Sequence, residues 1–273
     1  MITAKTALYA VLGSPVRHSL SPILHNGWIA DHGLDAAYLA LDVTADALAA
    51  LGALGLSGAN VTIPHKEAAL AAAQRVDPFA ARIGAANTLR ITPDRRLEAY
   101  NTDAPGFLAA LRAGAPGWSA SAPAVVLGAG GAARAIVVAL SDAGVGDIRI
   151  VNRTADRAQA VAALAPGARV LALEAALDGA GLVVNCTSQG LKGDTPITLD
   201  LAPALAEAVV FDTVYAPLET ALLASARAQG RVGVDGLGML IWQAALAFEI
   251  WFGLRPDVDA ARARALAAIG AGS

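Results

Sequence analysis

The chain has 273 residues, 56% of them hydrophobic, with 20 Lys+Arg against 23 Asp+Glu and a net charge of −3. That apolar content and a mean hydropathy of +0.52 exclude a disordered chain. The slight acidic excess excludes general attraction to nucleic acid or an anionic membrane, which needs a basic surplus.

Taken in chain order, the residues up to Val11 carry Lys5 but no long apolar run ending in a small-residue cleavage site. A cytoplasmic chain without a leader is expected. Tyr9–Leu12 predicts a strand stopped by Gly13-Ser14-Pro15, and Ser21-Pro22 reads as a helix start with Ser21 as N-cap. Ala37–Val43 and Ala59–Ile63 predict further strands, separated by a helical stretch over Ala45–Leu54. Thr88–Thr92 and Leu97–Tyr100, joined by Pro93-Asp94-Arg95-Arg96, predict a hairpin. Alternating strands and helices imply a mostly parallel sheet with helical cover. Residues 113–123 concentrate Gly, Pro, Ser and Ala, the composition of a surface connection. Beyond it, Ala124–Leu127, Asp147–Val151, Leu182–Asn185 and Val209–Asp212 predict strands of a second sheet. The chain closes on helices over Gly236–Gly253 and Val258–Ile269. Within the first of these, Met239–Leu254 is broken by Gln243 and Glu249 and is too short to span a membrane. One cysteine, Cys186, excludes an intramolecular disulfide and, with four histidines, argues against structural zinc. It is expected to be a small buried residue at a strand end. The fold expected is α/β in two domains.

The strongest local signal follows the strand Ala124–Leu127. Gly128-Ala129-Gly130-Gly131-Ala132-Ala133 fits the G-x-G-x-x-G/A pattern and leads into a helix through Ala143. Gly128 permits the tight turn, Gly130 admits a pyrophosphate, and Ala133 allows close helix–sheet packing. A glycine-rich turn without a ligand is the bland alternative; the strand-turn-helix context favours a dinucleotide. At the end of the next strand an NAD site wants an acidic residue, but the chain has Asn152-Arg153-Thr154, with Arg157 a helical turn on. Two guanidinium groups and a hydroxyl suit a 2′-phosphate, so NADP is favoured over NAD. The alternative is a helix capped by Thr154 and flanked by solvated arginines.

Four short polar stretches stand out elsewhere: Ser19-Leu20-Ser21-Pro22, Asn60-Val61-Thr62-Ile63-Pro64-His65-Lys66, Asn87-Thr88 and Asn101-Thr102-Asp103. Each alone is ordinary: capping for Ser21, a solvated lysine for Lys66, and an Asp103 cap on the helix that Pro105 opens. In order, and joined by Asn185-Cys186-Thr187-Ser188-Gln189-Gly190, Asp212-Thr213-Val214-Tyr215 and Asp235-Gly236-Leu237-Gly238-Met239-Leu240, they resemble the shikimate dehydrogenase family along nearly the whole chain.

The resemblance implies a substrate domain over 1–103, completed by helices of 237–273, and a Rossmann-like NADP domain over 104–236, flanking a cleft. It implies reversible reduction of 3-dehydroshikimate to shikimate with NADPH. Ser19 and Ser21 would bind the substrate carboxylate, with Tyr215 nearby. Thr62, Asn87, Asp103 and Gln243 would bind ring hydroxyls, and Lys66, paired with Asp103, would transfer the proton. Gly128, Ala129, Gly130, Gly131 and Ala132 would hold the pyrophosphate, and Asn152, Arg153, Thr154 and Arg157 the 2′-phosphate. Thr213 and Gly236 would line the nicotinamide end. Three features depart from the family habit: Ala104-Pro105 follow Asp103 where Gly is frequent, Tyr100 stands where Asp is common, and Thr213 replaces a frequent Met. An NAD-using quinate/shikimate dehydrogenase is the nearest rival, and Arg153-Thr154 speaks against it. A catalytically silent sensing module is a rival of another class, and Lys66 with Asp103 speaks against that. No metal, nucleic acid or membrane partner is expected, and the chain is expected to be a monomer or homodimer.

Overall fold

The computed structural model describes residues 2–190 and 195–271. Two units divide the chain: Met1–Thr102 with Gln243–Ser273, and Asp103–Trp242.

In the first unit the predicted apolar runs become β1 (Ala7–Gly13), β2 (Ala36–Asp42) and β3 (Leu56–Val61), with α1 (Ser21–Asp31) between the first two. Between β2 and β3 the expected helical stretch is a 3-10 segment, Ala45–Ala53, that buries Leu48 and Leu51. Those two residues are three apart, the repeat that stacks on one face of a 3-10 helix. There follow α2 (Lys66–Ala72), β4 (Arg75–Val76), α3 (Pro78–Ile83), β5 (Thr88–Ile91) and β6 (Leu97–Tyr100). The sheet order is β2-β1-β3-β5-β6-β4. β1 runs parallel to β2 and β3, whereas β5 is antiparallel to both β3 and β6. The predicted hairpin β5–β6 is therefore what reverses one strand in an otherwise parallel sheet. β3 ends two residues before its predicted limit, because the chain turns back there: His65 N–H donates to the Thr62 carbonyl at 2.9 Å.

The second unit contains α4 (Asp103–Gly114), β7 (Ala124–Leu127), α5 (Gly131–Asp142), β8 (Ile148–Val151), α6 (Ala155–Ala162), β9 (Ala168–Val170), α7 (Leu173–Leu177), β10 (Leu182–Asn185), β11 (Val209–Asp212), α8 (Ala221–Ala228) and β12 (Val232–Val234). All its strand pairs are parallel, in the order β12-β11-β10-β7-β8-β9. This is the doubly wound arrangement in which the winding reverses between β7 and β10, and ligands bind beyond the carboxyl ends at that point. The central strands are buried on both faces, so they read as unbroken Val/Leu runs rather than alternating ones.

The last two helices are α9 (Gly236–Phe252) and α10 (Val258–Ala271). Asp235 Oδ1 starts α9 by accepting the N–H groups of Leu237 and Gly238 at 3.0 and 3.3 Å. The boundary between units falls inside α9, after Trp242. Its later turns join the first unit through aromatic packing: His25 and Trp28 of α1 and Tyr38 of β2 meet Phe248 or Trp251. Trp251 Nε1 donates to the Leu89 carbonyl at 3.0 Å, and Trp28 Nε1 to the Asp257 carbonyl at 2.8 Å. Among the described residues no helix is long and apolar enough to cross a membrane.

Candidate active site

In the first unit, α1 begins at Ser21 itself. Leu20 is the N-cap residue, its carbonyl accepting the Ile23 and Leu24 N–H groups at 3.0 and 3.2 Å, so Ser21 is not the cap the sequence suggests. The side chain that serves this turn is Ser19, whose hydroxyl accepts the Ser21 N–H at 3.3 Å. Pro22 follows inside the first turn, where no intrahelical N–H is missed. Ser21 is buried and Ser19 half-buried.

Thr62 stands just past β3, its N–H donating to the Leu12 carbonyl at 2.8 Å. A side chain on Gly13 would strike the Thr62 methyl, which explains the glycine there. Lys66 opens α2 and is half-buried. Its backbone is held from two sides: the Ala86 N–H donates to its carbonyl at 2.9 Å, and the preceding His65 ring donates from Nε2 to the Val43 carbonyl at 2.8 Å.

Asn87 is the hub of the unit. Its Nδ2 donates to Thr102 Oγ1 at 2.9 Å and to Gln243 Oε1 at 3.1 Å, while its Oδ1 accepts the Thr102 N–H at 2.7 Å and the Thr88 hydroxyl at 3.2 Å. The neighbouring Asn101 fixes the same turn by donating to the Ala85 carbonyl at 2.9 Å. Tyr100, one of the departures, turns its hydroxyl onto Glu98 Oε2 at 3.0 Å. Burial pushes the Glu98 carboxyl up, but the Arg90 guanidinium, the Tyr100 hydroxyl and Arg75 outweigh it and hold the group below its ordinary value. Tyr100 is thus committed to a local ion cluster.

In the second unit, Asp103 is the first residue of α4 and is buried, with Pro105 tolerated in the first turn. Gly128 follows β7 with φ +109°; a Cβ there would lie 3.1 Å from the Thr187 methyl and 3.3 Å from the Cys186 carbonyl oxygen. The turn after β7 therefore touches the turn after β10, at the point where the winding reverses. Cys186 lies half-buried just beyond β10, where a buried residue was expected, with its carbonyl facing the Gly128 turn. Ala129, Gly131 and Ala132 are half-buried, while Gly130 is exposed and a Cβ on it would meet nothing within 4 Å. Ala133 is fully buried behind them.

Past β8, Asn152 Nδ2 donates to the Thr154 carbonyl at 2.9 Å and shapes the turn. Thr154 occupies the N-cap position of α6, yet its hydroxyl makes no capping bond. Arg153, Thr154 and Arg157 are exposed, and neither guanidinium is in an ion pair among the described residues. At the end of β11, Thr213 N–H donates to the Asn185 carbonyl at 3.0 Å. Gly236 packs against the Thr213 backbone so closely that any side chain would collide with that carbonyl. Tyr215 is half-buried on the same segment. Beneath it, the buried Asp212 accepts from Thr220 Oγ1 at 2.7 Å, Asn185 Nδ2 at 2.9 Å and the Val214 N–H at 3.0 Å. Burial raises its carboxyl despite these donors.

These features fit a dinucleotide with a 2′-phosphate. An open backbone at Gly130 precedes the α5 N-terminus, and two unpaired guanidiniums flank an idle hydroxyl. The sites assigned from sequence divide between the units: Asn87 and Gln243 are bonded partners in one, Thr213 and Gly236 are in contact in the other, and Lys66 and Asp103 belong to different units. Residues that the sequence did not single out are Tyr38, Asp212 as a hydrogen-bond centre, and Thr220. Tyr38 and Asp212 show only a polar group in an apolar strand, while Thr220 shows a threonine before a helical run, where it caps α8 by accepting the Leu223 N–H.

Three family models match in order: the shikimate dehydrogenase substrate binding domain over residues 11–89, shikimate / quinate 5-dehydrogenase over 114–192, and the shikimate 5'-dehydrogenase C-terminal domain over 236–266. The NADP(+) shikimate dehydrogenase of Methylobacterium radiotolerans is 53% identical over 259 residues, covering 91% of this chain and 92% of that one. The crystal structure of shikimate 5-dehydrogenase from Thermus thermophilus, in complex with NADP(H) and shikimate, superposes with a TM-score of 0.86 at 42% identity, covering 96% of this chain and 99% of that one. A quinate dehydrogenase from Corynebacterium glutamicum in complex with NAD superposes with a TM-score of 0.87 at 29% identity, covering 96% and 99%.

Proposed function

The chain belongs to the shikimate dehydrogenase family, and from that membership we propose that it catalyses the reversible, NADP-dependent reduction of 3-dehydroshikimate to shikimate, a step of aromatic amino acid biosynthesis. The observation that carries the reading is that Lys66 and Asp103 stand in their family motifs, in a chain that also keeps two unpaired arginines and an idle hydroxyl after β8. The first unit would bind substrate and the second cofactor, in the cytoplasm, as a monomer or homodimer.

NADPH, when bound, supplies the hydride. Lys66 does the proton work: its ammonium donates to the carbonyl oxygen as negative charge develops there, and its neutral amine takes the proton back in oxidation. The clamps on its carbonyl and on His65 limit where that amine can reach. Asp103 acts as its partner and shares the ring hydroxyls with Thr62, Asn87 and Gln243. Ser19 and Ser21, with Tyr215, take the carboxylate; these groups bind and orient. Gly128 to Ala132 hold the pyrophosphate, Asn152, Arg153, Thr154 and Arg157 the 2′-phosphate, and Thr213 and Gly236 the nicotinamide end. The quinate dehydrogenase has the same fold, so the fold does not decide between the two. The basic turn at Arg153 favours NADP.

The test is a grid of initial rates with shikimate or quinate, each with NADP or NAD, on the wild type, Lys66→Ala and the Arg153→Ala/Arg157→Ala pair. Activity concentrated in shikimate with NADP is expected. Lys66→Ala should lower kcat by orders of magnitude with little change in KM. The arginine pair should lose NADP far more than NAD. Preference for quinate or NAD, or a Lys66→Ala enzyme impaired only in KM, defeats the corresponding part of the reading.

A further inference from the structure

A line of polar side chains runs through the interior of the first unit, where apolar packing would be ordinary. It starts at Tyr38, 1% exposed in the middle of β2. Tyr38 stacks on His25, with ring centroids 4.2 Å apart and planes at 9°. Asn26 of α1 pins its backbone, donating to the Tyr38 carbonyl at 2.8 Å and accepting its N–H at 2.9 Å. The Tyr38 hydroxyl donates to Asn60 Oδ1 at 2.7 Å. Asn60 Nδ2 then donates to the Asn87 carbonyl at 3.2 Å and to Thr88 Oγ1 at 3.1 Å. The Thr88 hydroxyl reaches Asn87 Oδ1 at 3.2 Å, and Asn87 Nδ2 reaches Thr102 and Gln243.

The directions of these bonds are mutually determined. A carbonyl only accepts, so the bond to the Asn87 carbonyl fixes which end of the Asn60 amide is nitrogen. Its oxygen must then accept, and the Tyr38 hydroxyl donates to it at 2.7 Å, with the His25 ring beside the same amide. Burial keeps the Tyr38 phenol well above its usual value, against a smaller opposing contribution from the nearby Ser21 hydroxyl, so the proton stays in place across ordinary pH. Asn60 in turn grips Asn87 twice, once by its backbone and once through Thr88. Asn60 is itself buried, so an amide oxygen without its donor would carry the full cost of an unsatisfied polar group.

The geometry points to Tyr38 as a positioning residue that holds Asn87, through Asn60 and Thr88, in the orientation needed to receive the substrate ring hydroxyls. This rests on the proposed role of Asn87. Tyr38 touches no substrate; it acts by keeping a hydrogen-bonded chain in one polarity, and such chains fail as units. It is therefore a determinant of affinity for a polyhydroxylated ring, and it leaves cofactor binding alone.

The test uses the full-length enzyme with Tyr38→Phe, Thr88→Val and the double variant. Tyr38→Phe is expected to raise KM for shikimate about fivefold, the scale of one lost buried hydrogen bond, with kcat and KM for NADP within about twofold. Because both residues act along one line, the double variant is expected to be scarcely worse than the poorer single one. A double variant equal to the product of the two single effects overturns the relay, as does an equal rise in KM for shikimate and NADP. If Tyr38→Phe does not melt cooperatively, Thr88→Val decides alone, and an unchanged KM in it overturns the inference. If the wild type turns over none of the four substrate and cofactor pairs, the proposed function falls. The relay is then read from amide exchange at Thr102, whose N–H rests on Asn87 Oδ1. Faster exchange in Tyr38→Phe supports the relay, and unchanged exchange overturns it.

Discussion

His25 shows how much a single side chain can impose. It is fully buried among Tyr38, Trp28 and Trp251. Burial, only partly offset by the Asn60 side chain, pulls its pKa from the usual 6.5 down to about 3, so the folded protein holds it neutral. The unfolded chain takes up a proton first as pH falls below 6.5, so stability is complete above that pH and drains away between 6.5 and about 3. At pH 5 the loss from this residue alone is about 2 kcal/mol. Urea denaturation at pH 7 and pH 5 should show His25→Leu losing that much less stability on acidification than the wild type. Equal losses would mean that the folded protein protonates this ring. At this scale the sequence singles out a residue most readily where it stands in a motif, as Lys66, Asn87, Asp103 and Arg153 do. It was least legible for His25 and Tyr38, whose meaning comes from neighbours far along the chain.

Elements bounded by Gly or Pro were foreseen well, as in β1, the β5–β6 hairpin and the β7–α5 turn. The short β4 and α3 were not, because β4 has two residues and α3 six, too few to show a period. α3 is nevertheless well specified locally. Asp77 accepts the N–H groups of Phe79 and Ala80 at 2.9 and 3.2 Å, and Gly84 ends the helix with φ +72°. The β7–α5 turn allows a sharp comparison between two glycines of one motif. Gly128→Ala forces a residue with a side chain into φ +109° against Thr187, at a cost of roughly 1–3 kcal/mol. It should lower the thermal midpoint as well as NADP affinity. Gly130→Ala meets nothing within 4 Å, so the midpoint should hold while NADP binding weakens by about tenfold or more, the methyl standing where the backbone is otherwise open. Isothermal titration and a melting curve on both variants separate the two effects. An unaffected NADP affinity in Gly130→Ala would remove this turn from the cofactor site.

At the scale of the molecule, the alternation of strands and helices announced α/β architecture, and the glycine- and proline-rich stretch 113–123 read as a surface connection. That stretch lies within the second unit, which begins at Asp103. A connection in surface composition marks only a loop; a boundary is set by which core the flanking helix enters, and Phe107 of α4 packs on Phe211 at 5.0 Å. The return of the C-terminus to the first unit has its own test. Ala261 and Ala265 are buried, and Arg264 lies over Gly27 and pairs with Asp31. Removing residues 258–273 should uncover Trp28, shift tryptophan emission to the red and lower the thermal midpoint by about 10 °C or more. NADP affinity should change by no more than about twofold. A matching collapse of NADP binding would show that the units do not stand independently.

A unit whose first and last segments are separated by an entire second unit also has an order of manufacture. Trp28 and Tyr38 leave the ribosome early, but Phe248 and Trp251, which close over them, are made only after the whole Asp103–Trp242 segment. At roughly 5–20 residues per second the wait is on the order of 10 s. During that time the nascent N-terminal sheet carries an uncovered aromatic face, while the later-made unit can already be complete. The part of the chain synthesised first is thus the part that matures last, and the interval in which it needs shelter from aggregation is written into the chain order.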